Sequence, residues 1–169
     1  MRFGKHRAID LRAAGPHVPG MAVEATDKTL VACPRCTTAN RVPAERLGED
    51  PKCGKCGAAL LDGKPVALDA AAFDSFLARN DLPVLVDFWA DWCGPCHAMA
   101  PAFERAAAAL KTRVRFAKLD TEQAQAVAAR YGIRSIPTLI LFRGGRETAR
   151  ISGALDARAI QSWLGGFIH

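Results

Sequence analysis

No stretch of this chain stays apolar for long. The longest apolar run beside a strand pattern is "LPVLV" (Leu82–Val86), and Asp87 ends it. Nothing approaches the roughly 18 to 20 apolar residues that a membrane-crossing helix needs. Dense runs of Lys and Arg are missing too, so no nucleic-acid patch is marked. The net charge is +6, and its excess sits in residues 1–20, where four Lys/Arg face one Asp. Elsewhere the signs are mixed, seven against six in residues 21–65 and twelve against ten in residues 66–169. Residues 1–20 also lack an apolar segment and do not read as a secretory signal. They read as an irregular tail punctuated by Gly15-Pro16 and Pro19-Gly20, with Met21 as an alternative start.

No cysteine is left over. All six fall in Cys-x-x-Cys pairs, at Cys33/Cys36, Cys53/Cys56 and Cys93/Cys96. Without a secretory signal, this usage points to a reducing compartment. Paired cysteines there are metal ligands or redox catalysts more often than structural disulfides.

The chain divides by texture. Residues 1–28 form a tail. Residues 29–61 have little apolar content, with Leu30, Val31, Val42, Leu47, Leu60 and Leu61, and need a metal or disulfides to fold. Residues 62–65, "DGKP", are a turn-rich linker. From residue 66 to 169 strand and helix patterns alternate. "PVAL" is a short strand. "DAAAFDSFLARN" is a helix with Phe73, Phe76 and Leu77 on one face and Asp69 as its cap. "PVLVDFWA" (Pro83–Ala90) reads as a buried parallel strand. The helix after Cys93-Gly-Pro-Cys96 places Met99, Phe103, Ala106 and Leu110 on one face, and Pro101 is expected to kink it. Val114–Asp120 is a strand, and Thr121–Gly132 a helix opened by Thr121 and closed by Gly132. Two strands follow, joined at Gly144-Gly145, then a helix capped by Asp156. The order β-α-β-α-β-α-β-β-α predicts an α/β fold, a mixed sheet with helices on both faces.

Cys93 follows a buried strand and opens a helix, where sites form in open α/β sheets. The i, i+3 spacing puts both sulfurs on one helical face. Pro95 suits the first turn. Free N–H groups and the positive dipole end favour a Cys93 thiolate. Cys96, one turn inside, is expected to be less exposed, so Cys93 attacks and Cys96 resolves. Asp87 sits within the same strand, where a carboxylate is expensive unless partnered. Buried behind the cysteines with a raised pKa, it accepts the Cys96 proton; the rival register faces it to solvent.

"CPRC" and "CGKC" form C-x2-C-x16-C-x2-C, a spacing read as a four-cysteine zinc site. The rival readings are two disulfides, further redox pairs, or iron as the metal. Neither pair is expected to follow a buried strand or precede a helix, so neither has the activated setting of Cys93.

"VDFWADWCGPC", "RYGIRSIPTLILF", Lys118 in "AKLD" and "GAL" at Gly153–Leu155 resemble the thioredoxin family across residues 66–169. The N-terminal pairs resemble the extension of its zinc-binding bacterial type. The resemblance implies the thioredoxin fold behind a small zinc-ribbon-like module, and protein-disulfide reductase activity. It matches Asp87 and Lys118 to the buried acid and its lysine partner, and Pro137 to a cis-proline. Substrate is then expected beside Ile136, Pro137 and Gly153, on an apolar surface completed by Trp92, Gly94 and Pro95. The implied partners are disulfide-containing proteins and a thioredoxin reductase that draws on NADPH. One zinc, structural or redox-responsive, is the expected cofactor. A cytoplasmic monomer without organic cofactor, nucleic acid or membrane is expected. His97 stands where the family commonly has Lys or Arg, and reads as an exposed helix residue of little effect. The competing reading is a zinc-ribbon binding module on a redox scaffold.

Overall fold

Alternation along β4 (Val84–Trp89) decides how the sheet is covered. Successive side chains of a strand point to opposite faces. Val84, Val86 and Phe88 pack against α1 (Ala70–Ala78) and α3 (Gln125–Arg130), through Phe73, Phe76, Leu77 and Val127. Leu85 faces α2 (Gly94–Ala109) and α4 (Ala157–Gly165), through Met99, Phe103, Ile160 and Leu164. The next residue on that face is Asp87. The computed structural model describes residues 27–168; the tail and the alternative start at Met21 lie outside them.

The five-stranded sheet has the order β3-β5-β4-β6-β7. Its strands are β3 (Val66–Leu68), β5 (Arg115–Asp120), β4, β6 (Thr138–Arg143) and β7 (Arg146–Ser152). β3, β5 and β4 run parallel; β6 and β7 complete it antiparallel. This is the mixed sheet with helices on both faces that the patterning predicts. Gly144 and Gly145 turn the β6–β7 hairpin at φ 56° and 79°, a left-handed conformation that glycine adopts without steric cost. Asp69 and Asp156 cap α1 and α4, each accepting an N–H at 2.7 Å, from Ala72 and Ala159. α2 continues through Pro101.

Two boundaries differ from expectation. α3 begins at Gln125, not at Thr121. Thr121 is tied elsewhere, because its N–H and its hydroxyl both donate to Trp89 O, at 2.8 and 3.0 Å. The first strand begins at Lys28, one residue inside the stretch assigned to the tail.

The N-terminal unit is a hairpin of β1 (Lys28–Ala32) and β2 (Ala39–Pro43), a 3-10 turn at Ala44–Arg46 and a second turn around Cys53–Cys56. Its small core is Val31, Val42, Leu60 and Leu61 together with Cys33 and Cys53. The outer edge of β1 is zipped to the α1–β4 loop. Leu30 N donates to Asp81 Oδ2 at 2.6 Å, and Asp81 N to Leu30 O at 2.9 Å.

Candidate active site and metal centre

β4, the central strand, delivers the chain to the carboxyl end of the sheet, and the turn after it presents Cys93. Cys93 is the N-cap of α2, in extended conformation at φ −87°, and its Sγ accepts the Cys96 N–H at 3.2 Å. That position leaves free N–H groups of the first turn aimed at the sulfur. Pro95 lies in this turn, where its missing N–H costs nothing. Cys93 and Cys96 are joined in a disulfide, with Cα atoms 5.3 Å apart. The expected difference in exposure is absent, since both cysteines are 3% exposed. In the bonded pair each sulfur covers the other, and Cys93 Sγ also lies 3.7 Å from Ile136 O.

The Ile136–Pro137 bond is cis. Gly153, at φ 99°, donates its N–H to Pro137 O at 2.9 Å. The candidate contact residues Ile136, Pro137 and Gly153 therefore meet beside Cys93. Gly94 and Pro95 are exposed next to it, and Trp92 is 70% exposed. The indole of Trp92 is held by Glu122, to which its Nε1 donates at 3.0 Å. Glu122 carries no signal in the sequence, because only the fold brings β5's end against this turn. His97 is more engaged than expected. Its Nε2 lies 2.6 Å from Asp91 O, and its ring packs edge-on to Trp89.

Asp87 is 1% exposed, and neither carboxylate oxygen has a hydrogen-bond partner among the described protein groups. Burial pushes its pKa up to about 7, against a smaller lowering by Lys118. Lys118 is its cross-strand neighbour on β5. Among the described residues the two form no ion pair. The Lys118 ammonium lies over the Trp89 ring instead, 4.6 Å from its centre.

The other four cysteines converge. Their sulfurs all lie within 4.8 Å of one another, with Cys33–Cys56 at 3.5 Å and Cys36–Cys53 at 3.7 Å. Four thiolates about 2.3 Å from one ion in a tetrahedron stand roughly 3.8 Å apart, so the set fits zinc. The two knuckles repeat one design. Thr37 N donates to Cys33 O and Gly57 N to Cys53 O, at 3.0 and 2.9 Å. Cys33 Sγ accepts from Arg35 N and Cys36 N; Cys53 Sγ accepts from Lys55 N and the Asn40 amide. Backbone N–H groups, that of Cys56 foremost, hold the Cys53 thiol low, while burial pushes Cys33 up. Cys33 follows β1, of which only the last two residues, Val31 and Ala32, are buried. A turn and a second strand come next, and among the described residues no helix points its amino end at this pair.

The sequence model of the thioredoxin family matches residues 64–165. The chain belongs to the thioredoxin family. Residues 32–58 match the family described as thioredoxin 2, N-terminal, a zinc ribbon. Thioredoxin C-3 of Corynebacterium nephridii is 47% identical over 135 residues, 80% of this chain and 92% of that protein. A thioredoxin of Porphyra purpurea is 41% identical over 98 residues, 58% of this chain and 92% of that protein. Among solved structures, a point mutant of a thioredoxin from Halobacterium salinarum NRC-1 superposes with a TM-score of 0.60 at 32% identity. That match covers 66% of this chain and 97% of the other. The fold is therefore the thioredoxin fold, and the activity is thiol–disulfide oxidoreduction on disulfide-containing proteins. Among the described residues no helix is long and apolar enough to cross a membrane.

Proposed function

We propose that this thioredoxin works as a protein-disulfide reductase whose Cys93–Cys96 pair exchanges electrons while the other four cysteines hold one structural zinc. The observation that carries the reading is the Cys93–Cys96 bond capping α2, above a buried carboxyl on the sheet face that α2 covers. In the reduced protein, Cys93 thiolate attacks one sulfur of a substrate disulfide. That bond breaks, the other substrate sulfur leaves as a thiolate, and a mixed disulfide forms. Cys96 gives its proton to Asp87 and attacks Cys93 Sγ. The second substrate thiolate leaves, and the protein is left with the Cys93–Cys96 bond. Lys118 lowers the Asp87 pKa against the effect of burial and so keeps the carboxyl titrating near neutral pH. Trp92, Gly94, Pro95, Ile136, Pro137 and Gly153 form the substrate surface.

Bound by Cys33, Cys36, Cys53 and Cys56, zinc supplies structural cross-linking to a unit with a thin core. The chain divides into this ribbon (28–61), a linker (62–65) and the redox domain (66–169). Two electrons per cycle return through a thioredoxin reductase supplied by NADPH. The protein acts as a monomer in the cytoplasm, where paired thiols stay reduced.

Insulin reduction tests the reading. Cys93→Ser is expected to abolish it, while Cys33→Ser retains it. A Cys93→Ser variant as active as the wild type would overturn the assignment.

A further inference from the structure

A buried cation needs a partner. Arg115, the first residue of β5, is 4% exposed. Burial brings its pKa down to about 10, so it stays charged at neutral pH. Arginine is almost never buried unless paired. Yet among the described residues Arg115 forms no ion pair. Its Nη1 donates to Ala32 O and to Asn80 Oδ1, both at 2.9 Å, and its guanidinium lies 5.0 Å from the centre of the Phe76 ring. These are neutral groups, and they leave the charge uncancelled.

On the zinc reading, buried negative charge of the metal centre lies beside Arg115, and Cys33 acts on it. Ala32, whose carbonyl receives the guanidinium, directly precedes Cys33, and Ala32 N donates to the same Asn80 oxygen at 3.0 Å. Four thiolates around one divalent ion leave roughly two negative charges uncancelled. Backbone N–H groups soften that charge without neutralising it. Asp62 also acts on Arg115, and more strongly than Cys33 does, but its carboxylate is exposed and shielded by water.

We propose that Arg115, a residue of the redox domain, is the counter-charge of the tetrathiolate centre, so that the metal site is complete only when the ribbon is docked against β5. The inference rests on the zinc reading above. It makes Arg115 a positioning residue, acting on the metal through Ala32 and Cys33 rather than by ligation. Asn80 carries the geometry, since its side chain bonds Ala32 N, Arg115 and Phe76 O together.

The test is zinc retention by the full chain against a chromogenic chelator at neutral pH. Arg115→Met, similar in volume and uncharged, is expected to weaken zinc binding by about tenfold or more. Arg115→Lys, which keeps charge and loses the planar fork, is expected to recover to within about threefold of wild type. Asp62→Asn is expected to leave retention unchanged. Should Arg115→Met fail to fold, Arg115→Gln set against Arg115→Lys makes the same comparison. Equal zinc affinity in the charged and uncharged variants would overturn the proposal, and so would a loss in Asp62→Asn as large as in Arg115→Met. A wild-type protein that binds no zinc would sink the zinc reading itself, an outcome distinct from both.

Discussion

A single buried carboxyl makes this protein's stability depend on pH. The ordinary value for Asp87 is 3.8, and burial lifts it to about 7. Between those values the folded chain holds a proton that the unfolded chain has released. Stability therefore falls as pH rises through this window, and the loss is complete above about pH 7. It amounts to roughly 4 kcal/mol. Asp87→Asn removes the ionisation and keeps the shape. Denaturant unfolding of the oxidised protein is expected to find the variant more stable by up to roughly that amount near pH 8, with the gap closing near pH 4. Coincident curves at pH 8 would contradict a buried, ionising Asp87. Loss of the proton acceptor is also expected to flatten the pH dependence of insulin reduction around neutrality. The expense of Asp87 is legible in "VLVDFWA", because a carboxylate inside an apolar run marks itself. Arg115 carries a similar mark in "VRFAKLD", yet its partners are invisible there, since Ala32 and Asn80 come from distant parts of the chain.

Local chemistry sets most of the elements. Asp69, with its side chain accepting the Ala72 N–H at 2.7 Å, is a cap that "DAAAF" announces. Asp69→Ala is expected to cost about 1 kcal/mol, seen as a lower urea midpoint at unchanged slope. A midpoint equal to that of the wild type would show that tertiary packing alone holds α1. The same local logic fails at α3. Thr121 looks like a cap, but a carbonyl of β4 claims both its donors, and long-range claims of that kind leave no trace in a short window of sequence. The β1–β2 hairpin is hidden for a different reason. Its apolar content is thin, and its strands carry little alternation, with only Val31, Ala32 and Val42 buried. The candidate redox site is legible because its signals are consecutive, namely a buried strand, two cysteines three apart and a helix. Glu122 at Trp92 is not, as it meets the indole only where the loops after β4 and β5 come together.

At the scale of the molecule, six cysteines of one spacing take two settings. One pair opens the helix that follows the central strand, with Cys93 as its cap, and its sulfurs bond each other. The other two pairs sit in matching turns and face across to one another, 3.5 and 3.7 Å apart. The ribbon they build is fastened to the redox domain through Asp81, Asn80 and Arg115. Metal content and thiol reactivity of the reduced protein separate these two settings. The reduced protein, freed of excess reductant, is assayed for bound metal and for thiols that react rapidly with a disulfide reagent. One zinc per chain and two fast thiols are expected, both thiols absent in Cys93→Ser/Cys96→Ser, with the remaining four released only when a chelator removes the metal. Six fast thiols and no bound metal would contradict this division of labour.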